Sequence, residues 1–218
     1  MPERTGKLPG SRTADFADDA DSRRSAKSAS SAVWSGVPSA PKLGFDDARL
    51  KEFFALVPKL YAAEQRKVQA QYQGLLYSVE HPLHEDTTDR IEAAFRLPRP
   101  KWEAASRRQG IDALDGLRYP DTQPLAALRA VPGLDLRTLS HYLHFFHHAY
   151  PIYTEAACKG LERLGAAMPY TKQRDPDLYA RYIAAIEELK ERVPFWDVPE
   201  TNVYLTRIVQ AALEAYGS

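Results

Sequence analysis

The sequence predicts an all-α fold, and three observations support this prediction. From about Gly44 onward, apolar residues recur at spacings of three and four, which describe one face of a helix. No segment shows the alternation with a period of two that half-buried strands require. Hydrophobic residues make up 44% and charged residues 27% of the 218 residues, so the chain can bury a core of ordinary size. We therefore expect a compact multi-helix domain.

Residues 1–43 differ in composition from the rest of the chain. They contain eight serines, four prolines, seven Lys or Arg and five Asp or Glu, with few large apolar side chains. Such a segment cannot bury enough apolar surface to offset the entropy that it loses on ordering. We predict a disordered N-terminal tail at 1–43 and an all-helical domain at 44–218.

The first predicted helix begins at Asp46 or Asp47, since either carboxylate can accept hydrogen bonds from the first N–H groups of a helix. Its apolar face is formed by Leu50, Phe53, Phe54, Val57, Leu60 and Tyr61. Pro58 lies inside this run and lacks an N–H group, so we expect it to kink or divide the helix. The helical pattern then resumes as far as residue 78, and Pro82 closes it.

Shorter helices are predicted in the next part of the chain. The side chains of Asp86-Thr87-Thr88-Asp89 can cap one of them. Two more are predicted at 99–109 and 111–117, with Gly110 separating them as a helix breaker. Pro124 suits the first turn of the helix that follows, which leads into a hairpin.

The hairpin lies at Val131–Asp135, between two helices. Pro132 cannot donate a backbone hydrogen bond and Gly133 can take positive φ, so together they end the preceding helix abruptly. The next helix is predicted at Leu136–His148. Its apolar face consists of Leu136, Leu139, Leu143 and Phe146.

Three more helices are predicted, at 152–164, 175–192 and 202–216. In the second of them the inward residues are Leu178, Tyr182, Ile183, Ile186 and Leu189. In the last, the inward residues are Val203, Leu205, Ile208, Val209 and Leu213.

Charge and cysteine content limit the possible functions. The formal net charge is zero, so any surface that binds a polyanion must be local and balanced by acid elsewhere. The single cysteine, Cys158, excludes internal disulfides and a cysteine-built metal or iron–sulfur site within one chain. A single cysteine suits a reducing cytoplasm. No apolar run is long enough to span a bilayer. We predict no cofactor and no membrane association.

The segment around the hairpin carries a more specific pattern. It reads L-x-x-V-P-G-L-x-x-R-T-x-x-x-x-L-H-F from Leu128 to Phe145, followed by P-I-Y at 151–153. This pattern resembles the helix-hairpin-helix segment of the endonuclease III-like DNA glycosylases, of which the chain resembles a divergent member. The resemblance implies an all-α glycosylase-like domain containing a helix-hairpin-helix element, and a duplex DNA partner, either intact or damaged.

The resemblance assigns DNA contacts to the hairpin, at Gly133, Leu134, Asp135, Arg137 and Thr138. In such hairpins the backbone N–H groups approach a phosphate next to the positive end of a helix. Asp135 stands where the family has a second glycine, and its carboxylate both caps the helix and repels phosphate. Arg137 replaces the lysine nucleophile of strand-cleaving members and stays protonated, so any glycosylase activity should be monofunctional. The alternative is a helical connector without a DNA role.

A basic cluster provides a second indication of DNA binding. Trp102 lies within it, opposed only by the acid Glu103. Its cations are Arg96, Arg99, Lys101, Arg107 and Arg108. Cations with an aromatic among them suit phosphate contact combined with base stacking. The alternative is a solvated helix face with Trp102 directed to the core.

The catalytic position departs from the family. The resemblance places a catalytic aspartate directly after P-I-Y, where it would stabilise the positive charge that develops on the sugar. Thr154 occupies that position and cannot act as the anion. Glu155 follows and is the candidate replacement. The alternative is an ordinary acid in the first turn of a helix, paired with Lys159.

A crowded group of histidines lies on the helix after the hairpin. Its members are His141, His144, His147 and His148. Three of them share one face, but no cysteine or recognisable second shell completes a zinc site. We predict packing and hydrogen bonding for them rather than metal binding.

Three functions follow from these patterns. The first is a DNA-binding protein linked to repair, cytoplasmic and associated with the nucleoid, with its catalytic aspartate replaced. The second is an active monofunctional glycosylase that uses Glu155. The third is a helical interaction or scaffold protein without DNA binding, which the zero net charge and Asp135 favour.

Overall fold

A computed structural model describes residues 43–76, 79, 85–123, 125, 132–173, 175–192 and 202–218. These residues contain α-helices and no β-strand, so the all-α prediction is confirmed for them. The helices are α1 Asp47–Leu76, α2 Glu85–Phe95, α3 Ala104–Asp115, α4 Leu136–His147, α5 Glu155–Arg163, α6 Pro176–Arg192 and α7 Asn202–Gly217. The tail predicted at 1–43 (as far as residue 42), the helix predicted before the hairpin and residues 193–201 lie outside the described residues.

The start of α1 is fixed by Asp46, as its position predicts. The Asp46 carboxylate accepts hydrogen bonds from the N–H groups of Ala48 and Arg49, at 2.9 and 3.0 Å. Pro58 does not divide the helix, which runs through it as a single element of 30 residues. Phe53 and Val57 of the apolar face are fully buried and Phe54 and Leu60 are partly buried, so packing outweighs the hydrogen bond that proline removes.

Two predictions for the next helices are wrong. The polar run that starts at Asp86 lies inside α2, which begins at Glu85, and does not precede the helix. Gly110 lies inside α3 instead of separating two helices. The indole of Trp102 packs directly on Gly110, where a Cβ would collide with the ring. The missing side chain therefore has a packing role, and the helix continues through it.

The second half of the chain agrees more closely with the helices predicted from the sequence. The inward faces predicted for α4 and α6 are buried throughout. α4 ends at His148, whose φ of 55° is the left-handed conformation of a helix cap. α5 begins three residues later than predicted, at Glu155, because Thr154 is its N-cap and residues 151–153 are not helical.

The described helices pack in two groups that share one core. α7 contacts α1, α5 and α6, while α4 contacts α2 and α3. All of them belong to one compact unit, Ala40–Ser218. Helices α5 and α7 approach closely at Gly160, where a Cβ would lie 2.5 Å from the carbonyl oxygen of Leu213. Within the parts of the chain that the structure describes, no helix combines the length and hydrophobicity needed to cross a membrane.

Candidate nucleic-acid interface

The hairpin turn lies against the basic cluster. Gly133 takes a φ of 78°, as the turn was predicted to require. The Lys101 N–H donates a 2.8 Å hydrogen bond to the carbonyl of Pro132. A Cβ at Gly133 would lie 3.4 Å from the carbonyl oxygen of Arg99 and 3.5 Å from Cα of Pro100. The fold therefore brings together two features that are separated by about thirty residues in the sequence.

The N-terminus of α4 is capped as its sequence predicts. The Asp135 carboxylate accepts a 2.8 Å hydrogen bond from the Thr138 N–H. The side chains of Leu134 and Thr138 are buried, at 1% and 0% exposure, so neither can contact a ligand from the surface. Arg137 is half-buried. Of the hairpin residues expected to contact DNA, Gly133 alone is exposed.

The cations of the basic cluster differ in their exposure. Arg99 is 79% exposed, with its Nε 3.9 Å from the buried carboxylate of Glu92, and Lys101 is exposed beside it. Arg107 is 21% exposed and donates to the Asp89 carboxylate at 2.7 Å. Its guanidinium is therefore committed to a neighbouring helix.

Arg108 and Trp102 also have structural partners. Arg108 forms a 2.9 Å ion pair with Asp112 one turn along α3. Trp102 is half-buried against the core and packs on Gly110, while its Nε1 has no hydrogen-bond partner among the described residues. This placement supports the alternative in which Trp102 is directed to the core and is not a stacking surface for a base.

The P-I-Y segment is held by side chains from three helices. The carbonyls of Pro151 and Ile152 accept hydrogen bonds from the hydroxyls of Tyr179 and Tyr182, both at 2.8 Å. Both tyrosines are fully buried on α6, and burial raises the pKa of each hydroxyl, so both remain donors. The segment is a rigid junction between α4 and α5, which explains why the helical pattern fails there.

Position 154, where the resemblance to the glycosylases places a catalytic aspartate, has a structural role in this chain. Thr154 Oγ1 accepts from the Ala157 N–H at 3.2 Å as the N-cap of α5, and donates to the Glu214 carboxylate at 3.1 Å. Gln210 and Arg207 also contact this carboxylate, at 3.0 and 3.4 Å. A carboxylate therefore does lie beside position 154, but it belongs to α7.

Glu155 has the surroundings of an ordinary first-turn acid. Its side chain is 59% exposed and forms a 2.9 Å ion pair with Lys159, as the spacing of the two residues predicts. The exposed carboxylate is solvated and neutralised, whereas stabilising a developing cation requires a carboxylate in a site that excludes water. The geometry favours the structural interpretation of Glu155.

His141, His144 and His147 on α4 are hydrogen-bonded, as predicted. His144 Nδ1 donates to the Tyr150 carbonyl at 2.6 Å, and its Nε2 accepts from the Tyr72 hydroxyl at 2.5 Å. His141 Nδ1 donates to the Arg137 carbonyl at 2.7 Å. Burial lowers the pKa of both imidazoles to about 3. Among the described residues, no cluster could hold a metal ion.

Two residues of this region were not expected from the sequence. Glu214 lies on α7 four residues after Gln210, and two polar residues within a largely apolar helix face are a signal that could have drawn attention to them. Tyr170 stacks on Tyr153 with 5.3 Å between the ring centroids. No sequence pattern marks Tyr170, because its neighbours come from elsewhere in the chain.

Comparisons of the chain with protein-family models, with curated proteins and with solved structures found no match. The likeness to the helix-hairpin-helix glycosylases therefore depends on the motif between Leu128 and Thr154.

Proposed function

We propose that this protein binds DNA through a surface that we call the hairpin face, and that it does not cleave N-glycosidic bonds. The hairpin face consists of Arg96, Arg99, Lys101, Pro132 and Gly133, all of which are exposed. The partner is duplex DNA, either intact or damaged. The protein would act in the cytoplasm next to the nucleoid, in a process linked to DNA repair.

One observation carries this proposal, the 2.8 Å hydrogen bond from Lys101 to Pro132. It places the segment that carries Arg99 and Lys101 beside an exposed glycine turn at the start of a helix. Cations supply the affinity of a protein for phosphates, and a turn without side chains allows the backbone to approach them closely. The motif resemblance supports the same assignment independently of charge.

Two observations support a binding role without catalysis. Thr154 is committed to capping α5 and to the Glu214 carboxylate, and Glu155 is exposed and paired with Lys159. Neither provides an unpaired carboxylate in a dry cleft, which charge stabilisation at the sugar requires. Arg137 cannot form a Schiff base because its guanidinium does not lose a proton.

The test is a salt titration of duplex binding by charge-reversed variants. The double variant Arg99→Glu and Lys101→Glu should lose most of the affinity. The corresponding alanine variants should each reduce the slope of log affinity against log salt by about 0.9, the value for one lost phosphate contact. Lys51→Glu on α1, which reverses an exposed cation outside the hairpin face, should change both quantities far less.

Arg107→Ala is a second control, because this cation is paired with Asp89 and lies outside the hairpin face. It should lower stability and leave the salt slope unchanged. Absence of duplex binding at low salt would overturn the proposal and favour the helical scaffold. Base release from damaged duplexes that is lost in Glu155→Gln would instead favour the monofunctional glycosylase.

A further inference from the structure

Glu92 is a buried carboxylate that lies beside the hairpin face. It belongs to α2, and its side chain is 3% exposed. Its Oε1 accepts a hydrogen bond from the hydroxyl of Tyr142, which is fully buried on α4. Burial and the adjoining carboxylate raise the pKa of this hydroxyl, so it stays protonated and remains the donor. The hydrogen bond fixes the carboxylate, whose second oxygen, Oε2, lies 3.9 Å from Nε of Arg99.

The backbone that carries Arg99 is held on both sides. Arg99 lies between two prolines, which fix their own φ and favour an extended conformation for the residue before each of them. The Leu97 N–H donates to the Glu92 carbonyl at 2.9 Å, and the Leu97 side chain is buried. The Lys101 N–H is bound to the Pro132 carbonyl. The Arg99 side chain therefore starts from a fixed position, and its remaining freedom lies in its own rotamers.

The position of the carboxylate decides which edge of the Arg99 guanidinium remains available. A guanidinium is a planar fork, with Nε on one side and two terminal nitrogens at its end. Glu92 lies on the Nε side, and the Arg99 side chain is 79% exposed, so the terminal nitrogens can reach a phosphate from solvent. Two parallel N–H groups match two oxygens of one phosphate. An exposed arginine loses rotamer freedom when it binds a phosphate, and an ion pair that already orients the guanidinium reduces this loss.

We infer that Glu92 is a positioning residue for DNA binding, which holds the Arg99 guanidinium at its Nε edge so that both terminal nitrogens bind one phosphate. This inference rests on the proposed function. The charge of Glu92 itself repels the phosphate, so its direct electrostatic effect on binding and its positioning effect have opposite signs. The sign of the change in affinity when this charge is removed therefore identifies which effect acts.

The test is the affinity of the full chain for a fluorescently labelled duplex, measured by anisotropy. Glu92→Gln keeps the shape of the side chain and an oxygen for the Tyr142 hydroxyl, and it removes the charge. Electrostatics alone predicts tighter binding, whereas loss of positioning predicts binding about two- to tenfold weaker, the cost of immobilising one long side chain. The matched control is Asp89→Asn, which removes an α2 carboxylate paired with Arg107 outside the hairpin face and should not weaken binding.

Two variants of Arg99 separate positioning from folding. Arg99→Lys changes an exposed residue, keeps the charge and lacks the fork, so it should fold normally and bind several-fold more weakly with an unchanged salt slope. In an Arg99→Ala background, Glu92→Gln should no longer weaken binding, because no guanidinium remains to be oriented. Thermal unfolding checks that each variant is folded.

Two results would overturn this inference and leave the proposed function intact. One is a folded Glu92→Gln variant that binds the duplex as tightly as the unmodified protein or more tightly. The other is full affinity in Arg99→Lys. Weaker binding by Asp89→Asn to the same extent would also overturn it, because the loss would then be a general effect of changing α2. Absence of salt-dependent duplex binding by the unmodified protein would overturn both proposals.

Discussion

Thr154→Asp introduces the carboxylate that the family has after P-I-Y, and it should destabilise this protein. Aspartate is at least as good an N-cap as threonine, so the cap of α5 itself is preserved. The new carboxylate would, however, lie next to that of Glu214, because Thr154 Oγ1 is 3.1 Å from Glu214 Oε1. Both side chains of the Arg207–Glu214 ion pair are about 15% exposed, so water screens this repulsion only in part.

Two independent arguments bound the destabilisation that Thr154→Asp should cause. Two like charges about 4 Å apart repel by about 4 kcal/mol at the effective dielectric constant near a protein surface. Protonating one carboxyl at neutral pH instead costs about 4 kcal/mol, since its ordinary pKa lies about three units lower. Arg207 offsets part of the repulsion. We therefore expect a loss of about 2–4 kcal/mol in the free energy of unfolding.

Urea denaturation at neutral pH measures this loss, and pH and a second substitution identify its cause. In the folded Thr154→Asp variant, repulsion between the two carboxylates raises their pKa. The loss of unfolding free energy relative to the unmodified protein is therefore largest at neutral pH. It should disappear as the pH falls below the ordinary carboxyl pKa of about 4. Adding Glu214→Gln should restore most of the stability. A Thr154→Asp variant as stable as the unmodified protein would show that Thr154 acts only as a cap.

Two further predictions concern the core. Gly160→Ala should destabilise the protein by about 1–3 kcal/mol in thermal unfolding, because the added Cβ would meet the Leu213 backbone. Gly74→Ala has open space around it and should stabilise α1 by up to about 1 kcal/mol. Equal effects of the two substitutions would contradict the close α5–α7 packing. Since the pKa of His141 and His144 is lowered to about 3 in the folded state, the unfolded chain binds more protons below about pH 6.5. Stability should therefore be complete above that pH and fall by about 1.4 kcal/mol per unit for each histidine as the pH drops. Urea unfolding as a function of pH measures this slope, which His141→Asn should halve; a slope unaffected by that substitution would contradict the assignment.

Local sequence signals predicted much of the fold correctly. Asp46 and Asp135 cap their helices, and Gly133 takes a positive φ in the hairpin turn. Each of these features depends on a few neighbouring residues, so the sequence alone contains the required information. The inward faces of α4 and α6 were predictable for the same reason, because helical periodicity is itself a local property.

The errors arise where distant residues decide the local structure. Gly110 has the propensity of a helix breaker, but the Trp102 ring fills the space beside it and the helix continues. The start of α5 moves to Glu155 because tyrosine hydroxyls from α6 hold the carbonyls of Pro151 and Ile152. Neither contact can be deduced from spacing along the chain. The pairing of Thr154 with Glu214 is of the same kind.

That pairing gives a physical explanation for the difference between this sequence and the glycosylase motif that it resembles. Position 154 and the Glu214 carboxylate are 3.1 Å apart, so an acid at both positions would place two negative charges in contact. With threonine, the hydroxyl can donate to Glu214 and still accept from the Ala157 N–H, which satisfies both neighbours at once. Glu214 in turn is held by Gln210 and is committed to the junction. Thr154 and Glu214 therefore form one hydrogen-bonded pair, in which the Glu214 carboxylate joins α5 to α7 and is not directed toward a ligand.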